Sequence, residues 1–150
     1  MTRAIHHFDL WVQDPATAVP EWSWLFAACG WEVDFAEETS GSWKHPDGTY
    51  AFLERSPDLL DERHDRLRPG INHLAFTVPD LAVLDALRSE APGHGWSELY
   101  ADKYPHAGGD DHTALYLENS ESFEVEVVVE ALSSRVASSP CCSCSWRRVS

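Results

Sequence analysis

The segment Ile5-His6-His7-Phe8-Asp9-Leu10-Trp11-Val12-Gln13-Asp14 returns 66 residues later as Ile71-Asn72-His73-Leu74-Ala75-Phe76-Thr77-Val78-Pro79-Asp80. Ile, His, Val and Asp stand at equivalent places in the two copies, and Leu10 is matched in character by Phe76. Each copy alternates apolar and polar residues, the pattern of a half-buried strand. An internal repeat of this kind organises everything around it.

The text following each copy repeats as well. After Asp14-Pro15, Val19, Trp22, Leu25 and Phe26 fall at helical spacing up to Gly30, with Asp14 expected as the cap and Pro15 in the first turn. After Asp80, Leu81, Leu84 and Leu87 do the same up to Ala91-Pro92-Gly93. Strand-like text follows each helix, over 31–36, 42–45 and 49–54 in the first half and 97–101, 113–118 and 123–129 in the second. The last hairpin of the first half turns at His45-Pro46-Asp47-Gly48, a strong Asp-Gly signal, and that of the second at Asn119-Ser120-Glu121-Ser122. The expectation is an α+β domain over 1–130, built from two βαβββ modules at about 5–56 and 70–130. A linker at 57–69, dense in Asp and Arg, joins them. Residues 131–150, polar, aperiodic and carrying Cys141, Cys142 and Cys144, read as a disordered tail.

Strand phase assigns faces. Phe8, Leu10 and Val12 form one row, leaving His7, Asp9 and Trp11 on the other; Leu74, Phe76 and Val78 leave His73, Ala75 and Thr77. Leu115 and Leu117 leave Tyr116, and Val125 and Val127 leave Glu126. With the apolar rows packed on the helices, the opposite rows form a cup that concentrates histidine and aromatic residues.

The chain has 150 residues, 11 Lys plus Arg and 25 Asp plus Glu, for a formal charge of −14. Such a surface repels phosphate backbones and anionic lipid, so no nucleic-acid or membrane partner is expected. Its apolar runs are far shorter than the roughly 20 residues a spanning helix needs, and its start has no signal-peptide stretch. A cytoplasmic protein with a small-molecule substrate is the expectation. Cys29 stands alone and the other cysteines crowd the tail, so no disulfide framework is read.

Two imidazoles and a carboxylate from three strands are the ingredients of a facial metal site. His7 and His73 would give neutral nitrogens and Glu126 an anionic oxygen, to one divalent ion that ligand type alone leaves open among Fe, Mn, Zn, Ni and Co. A histidine taken singly is more often a strand-end residue. Two at the same place in a repeat, with the glutamate on the same face, favour the metal.

These residues resemble the vicinal oxygen chelate superfamily, which includes glyoxalase I, extradiol dioxygenases, fosfomycin-resistance transferases and bleomycin-resistance proteins. The resemblance covers about residues 5–130 and rests on His7-Phe8-Asp9-Leu10, Pro69-Gly70-Ile71-Asn72-His73-Leu74-Ala75-Phe76 and Phe123-Glu124-Val125-Glu126-Val127. It implies an open, half-barrel-like mixed sheet with helices outside, and His7, His73 and Glu126 as metal ligands. Glyoxalase-like members carry a fourth ligand on the last strand of the first module. Glu54 takes that place by one alignment and Phe52 by another. The second alignment leaves a two-His, one-carboxylate set like that of extradiol dioxygenases. Those enzymes carry a tyrosine ten residues before the metal glutamate, as Tyr116 stands to Glu126. The resemblance therefore implies a catalytic role for Glu126 and Tyr116, in a glyoxalase-like lyase or isomerase or a ring-cleaving dioxygenase. The alternative is a non-catalytic drug-sequestering protein of the bleomycin-resistance type, and a homodimer is compatible with either. The turn Asn119-Ser120-Glu121-Ser122 departs from the family pattern in lacking both Pro and Gly.

Around this set, Trp11 shares the face of His7 and is expected to line the pocket, with Phe52 or Glu54 beside it. His106 and His112, in the Gly-rich stretch 104–112, are candidate acid–base groups at its rim. Trp22, Trp24, Trp31 and Trp43 are expected in the core.

Overall fold

A computed structural model of the chain describes residues 3–60 and 63–130; the tail and its cysteines lie outside them. The first module runs β1 (His7–Trp11), α1 (Pro15–Ala28), β2 (Glu32–Ala36), β3 (Ser40–Lys44) and β4 (Tyr50–Glu54). The second runs β5 (His73–Val78), α2 (Leu81–Glu90), β6 (Ser97–Leu99), β7 (Ala114–Glu118) and β8 (Glu124–Val129), with 3-10 turns at Ala91–His94 and Ala101–Lys103. Each module makes one four-stranded mixed sheet, ordered β1-β4-β3-β2 and β5-β8-β7-β6, so the α+β arrangement is open rather than closed. Strands β1 and β5 are each an edge of their own sheet, and no ladder joins them. Among the described residues, no helix is long and apolar enough to cross a membrane.

The apolar rows are buried as strand phase requires. Leu10, Val12, Phe76, Val78, Leu115, Leu117, Val125 and Val127 enter one core with the inner faces of both helices. Aromatic residues knit the modules there. The Trp22 ring lies 5.2 Å from Trp96 and 6.0 Å from Phe123, and Phe26 lies 5.6 Å from Phe76. A fully buried side chain of this size contributes about 1.5–3 kcal/mol, so these contacts outweigh any single surface ion pair. Trp22 and Trp43 are fully buried, whereas Trp24 and Trp31 are half-buried at the edge of the cluster.

Helix α1 begins differently from expectation. Asp14 makes no side-chain cap to the backbone; its carboxylate accepts the Thr17 hydroxyl at 2.7 Å. The carboxylate at this helix start comes instead from the other module. Glu121 accepts from the Gln13 and Asp14 N–H groups at 2.8 and 2.7 Å, where the helix dipole favours negative charge. A second clasp lies nearby: buried Glu21 accepts from Asn119 Nδ2 at 3.0 Å, and the Trp96 indole donates to the Glu21 carbonyl at 3.1 Å. Burial pushes the Glu21 carboxyl above its usual range, against the hydrogen bonds from Ser120 and Asn119.

The turn at 119–122 forms without Pro or Gly. Asn119 Oδ1 accepts from the Glu121 and Phe123 N–H groups at 3.1 and 2.9 Å, and Ser122 takes the left-handed φ of 69° that glycine would adopt freely. Arg63, from the linker, donates to Ser122 Oγ at 2.7 Å.

Candidate functional site

The rows left off the core converge on the open face. In the second sheet Ala75 pairs with Glu126 and Tyr116 pairs with Glu126 from the other side, so β8 carries the carboxylate between β5 and β7. Glu126 is largely buried, and a carboxylate in that position needs donors. It has them. Tyr116 O–H donates to Oε1 at 2.6 Å, and His112 Nε2 lies 2.5 Å from the same oxygen. Burial raises the cost of its charge, but these bonds and the nearby imidazoles prevail and hold the Glu126 carboxyl below its ordinary range. Burial and the bond to Glu126 push the Tyr116 phenol well above its usual range, so it stays a donor.

The other oxygen, Oε2, faces His73 Nε2 at 3.3 Å. Asn72 fixes the tautomer of that imidazole. Its Nδ2 donates to the Arg66 carbonyl at 3.0 Å, which leaves Oδ1 as the acceptor 2.8 Å from His73 Nδ1. The Nδ1 proton is thereby assigned, and in the neutral ring Nε2 directs a lone pair at a carboxylate oxygen. Two acceptors facing each other call for a cation between them, a proton or a metal ion. Nitrogen and oxygen donors of this kind fit a borderline divalent metal, and an imidazole oriented through its far nitrogen is the usual arrangement of a metal histidine. Asn72 was not singled out from the sequence, though its place directly before His73 was the available signal.

His7 sits on the first sheet with other neighbours. Its Nδ1 lies 2.8 Å from His6 Nδ1, and its ring stacks on Tyr50 with centroids 4.7 Å apart. Among the described residues, no hydrogen bond or ion pair joins it to His73 or Glu126. No three His, Cys, Asp or Glu side chains among them converge closely enough to form a ready-made metal cluster.

The register decides what stands opposite Glu126 in the repeat. Asp9 pairs with Phe52 as Ala75 pairs with Glu126, so Phe52 is the first-module counterpart of the carboxylate. Glu54 lies two pairs further along, opposite Trp11, where the second module has Val128. Trp11 is 45% exposed on this face, and Phe35 meets Phe52 with ring centroids 6.1 Å apart.

The Gly-rich stretch closes over the second-sheet cluster. His106 Nδ1 lies 3.3 Å from the His112 carbonyl. A Cβ on Gly108 would come within 2.4 Å of His112 Cδ2 and 2.9 Å of the Tyr116 hydroxyl, so only glycine permits this approach. Behind it, Arg66 holds buried Glu124 at 2.6 Å and Glu118 at 3.1 Å. The linker contributes His64 as well, stacked on Phe123 at 4.1 Å. Between β1 and β5 opens a cavity of about 250 Å³, whose lining includes Trp11, His64, Ile71, His73 and Phe123.

Comparison with known proteins places this arrangement. The profile described as Glyoxalase/Bleomycin resistance protein/Dioxygenase superfamily matches residues 6–116. The uncharacterized protein YqjT of Bacillus subtilis (strain 168) is 30% identical over 125 residues, covering 83% of this chain and 97% of that protein. A candidate glyoxalase from Bacillus halodurans superposes with a TM-score of 0.77 at 30% identity, over 85% of this chain and 96% of that one. The fosfomycin resistance protein FosX from Mesorhizobium loti shares the fold, with a TM-score of 0.58 at 17% identity over 91% of this chain and 100% of that one.

Proposed function

The chain belongs to the Glyoxalase/Bleomycin resistance protein/Dioxygenase superfamily, whose members typically use a divalent metal, and from that premise we propose that it is a metal-dependent enzyme acting on a small molecule. In this reading His73 and Glu126 hold the ion with His7 from the first module, and the substrate enters the cup through its oxygen atoms. The observation that carries it is His73 Nε2 facing Glu126 Oε2 at 3.3 Å, with Asn72 committing the opposite ring nitrogen to a hydrogen bond. When bound, a divalent ion supplies Lewis-acid polarisation of substrate oxygens.

The chain's own groups divide the remaining work. Tyr116 and His112 pin Glu126 Oε1, which leaves Oε2 as the oxygen turned toward His73. The Tyr116 hydroxyl, protonated across the physiological range, is a donor at the edge of the cup. His112 and His106 line the path by which a proton exchanges with solvent, and Trp11, Phe52 and Glu54 flank the substrate. The chemistry is a glyoxalase-like isomerisation or lysis, or a dioxygenase cleavage. Cys29, buried and unbridged, is in keeping with a cytoplasmic setting.

One observation favours a second reading, a drug-sequestering protein without catalysis: the repeat position equivalent to Glu126 holds Phe52, an aromatic surface. Metal content by plasma mass spectrometry on anaerobically purified protein separates the two. The enzyme reading expects about one ion per chain, lost in both His73→Ala and His7→Ala. Absence of metal from the wild-type protein, or full retention in both variants, overturns it.

A further inference from the structure

Phe52 stands where the repeat would otherwise place a second carboxylate, and its neighbours are aromatic too. Phe35 meets it with ring centroids 6.1 Å apart, and Trp11 lies diagonally across the β1–β4 pair on the same face, next to the Asp9–Phe52 pair. Trp11 and Phe35 are 45% and 36% exposed, so this surface is not absorbed into the core. The second sheet presents Glu126, Tyr116 and His73 instead, all hydrogen-bonding groups, and His73 lines the same cavity as Trp11. The two halves of the cup therefore offer different chemistry: one binds oxygen and nitrogen atoms, the other binds a flat apolar surface.

Charge narrows the ring that fits. Asp9 and Glu54 share the first-sheet face, and Glu118, Glu124 and Glu126 share the second. Among the described residues, Lys44 stands on the first-sheet face, opposite Tyr50 in the β3–β4 register, and Arg66, from the linker, is engaged by Glu118 and Glu124. The five carboxylates outnumber these two cations, so an anionic ring meets a net repulsive field, whereas a neutral or cationic ring gains from both the aromatic faces and the field.

We propose that Phe52, Phe35 and Trp11 form a platform that selects substrates carrying a flat aromatic ring without negative charge. This deepens, and rests on, the reading of the cup as the substrate site. Isothermal titration of the full chain with N-methylquinolinium and with 2-naphthoate tests it. The cation is expected to bind at least about fivefold tighter than the anion, and Phe52→Ala to weaken it by about fivefold. Trp11→Ala, at an exposed position, supplies the same test should Phe52→Ala fail to fold. Equal or tighter binding of 2-naphthoate, binding of neither probe, or unchanged affinity in a folded platform variant overturns the proposal. Running His73→Ala in parallel separates the two readings: it is expected to lose metal and keep the platform's preference for the cation. Failure of metal binding in the wild-type chain, with that preference intact, counts against the metal reading alone.

Discussion

Tyr116 and Glu126 face each other across the β7–β8 pair, and the phenol donates to Glu126 Oε1 at 2.6 Å, the oxygen that His112 also approaches. With Oε1 occupied twice, the carboxylate cannot rotate without breaking two charge-assisted bonds. Tyr116→Phe is therefore expected to lower metal affinity by about tenfold and stability by about 1 kcal/mol. Metal titration and thermal melting of the same preparation check the two effects separately.

Gly108 tests the same cluster from the loop side. The Cβ of Gly108→Ala would collide with His112 and Tyr116, and these side chains can yield only by leaving Glu126. The expected result is a melting temperature within a few degrees of wild type, since the loop is at the surface, with metal affinity reduced about tenfold. Unchanged affinity would show that the loop, rather than the two side chains, gives way.

Glu21 gives the stability a pH dependence of known sign. Its carboxyl is raised by burial, so the folded chain binds this proton more tightly than the unfolded one. Its contribution is fully present below the ordinary glutamate range and is lost as pH rises through the raised folded value. Glu21→Gln keeps an oxygen for Asn119 Nδ2 and removes the buried charge. Thermal melts are expected to show the variant more stable than wild type at pH 8 and equal to it at pH 4.

Ser122, half-buried in its turn, occupies a left-handed conformation, φ 69°. Ser122→Gly relieves that strain and forfeits one hydrogen bond from Arg63. The balance is expected to favour glycine by about 0.5–1 kcal/mol in a denaturant titration.

The repeat made most of this architecture legible. Two copies of one pattern fix strand phase twice over, and phase alone placed Leu10, Phe76, Leu117 and Val127 in the core and Glu126 opposite them. Register places Phe52 opposite Asp9, as Glu126 is opposite Ala75, a pairing that the two alignments of the sequence could not show. What pattern did not show comes from residues far apart in sequence or lying in loops. Glu121 reaches a helix start 107 residues away in place of the Asp14 cap, and Arg66 folds back from the linker onto Glu118 and Glu124. The approach of His112 to Glu126 likewise depends on a loop, where no period constrains direction.

The absence of a ladder between β1 and β5 has a further meaning for how such a protein changes over time. A hydrogen-bonded seam would tie the register of one copy to the other, so an insertion or slip in either would disturb both. Here the copies are joined by side chains in the core and by the clasps of Glu121 and Glu21. Each sheet is thus free to exchange its open-face residues without renegotiating its partner's backbone. One half carries a carboxylate at Glu126 where its twin carries Phe52, a division of labour that a continuous sheet would resist.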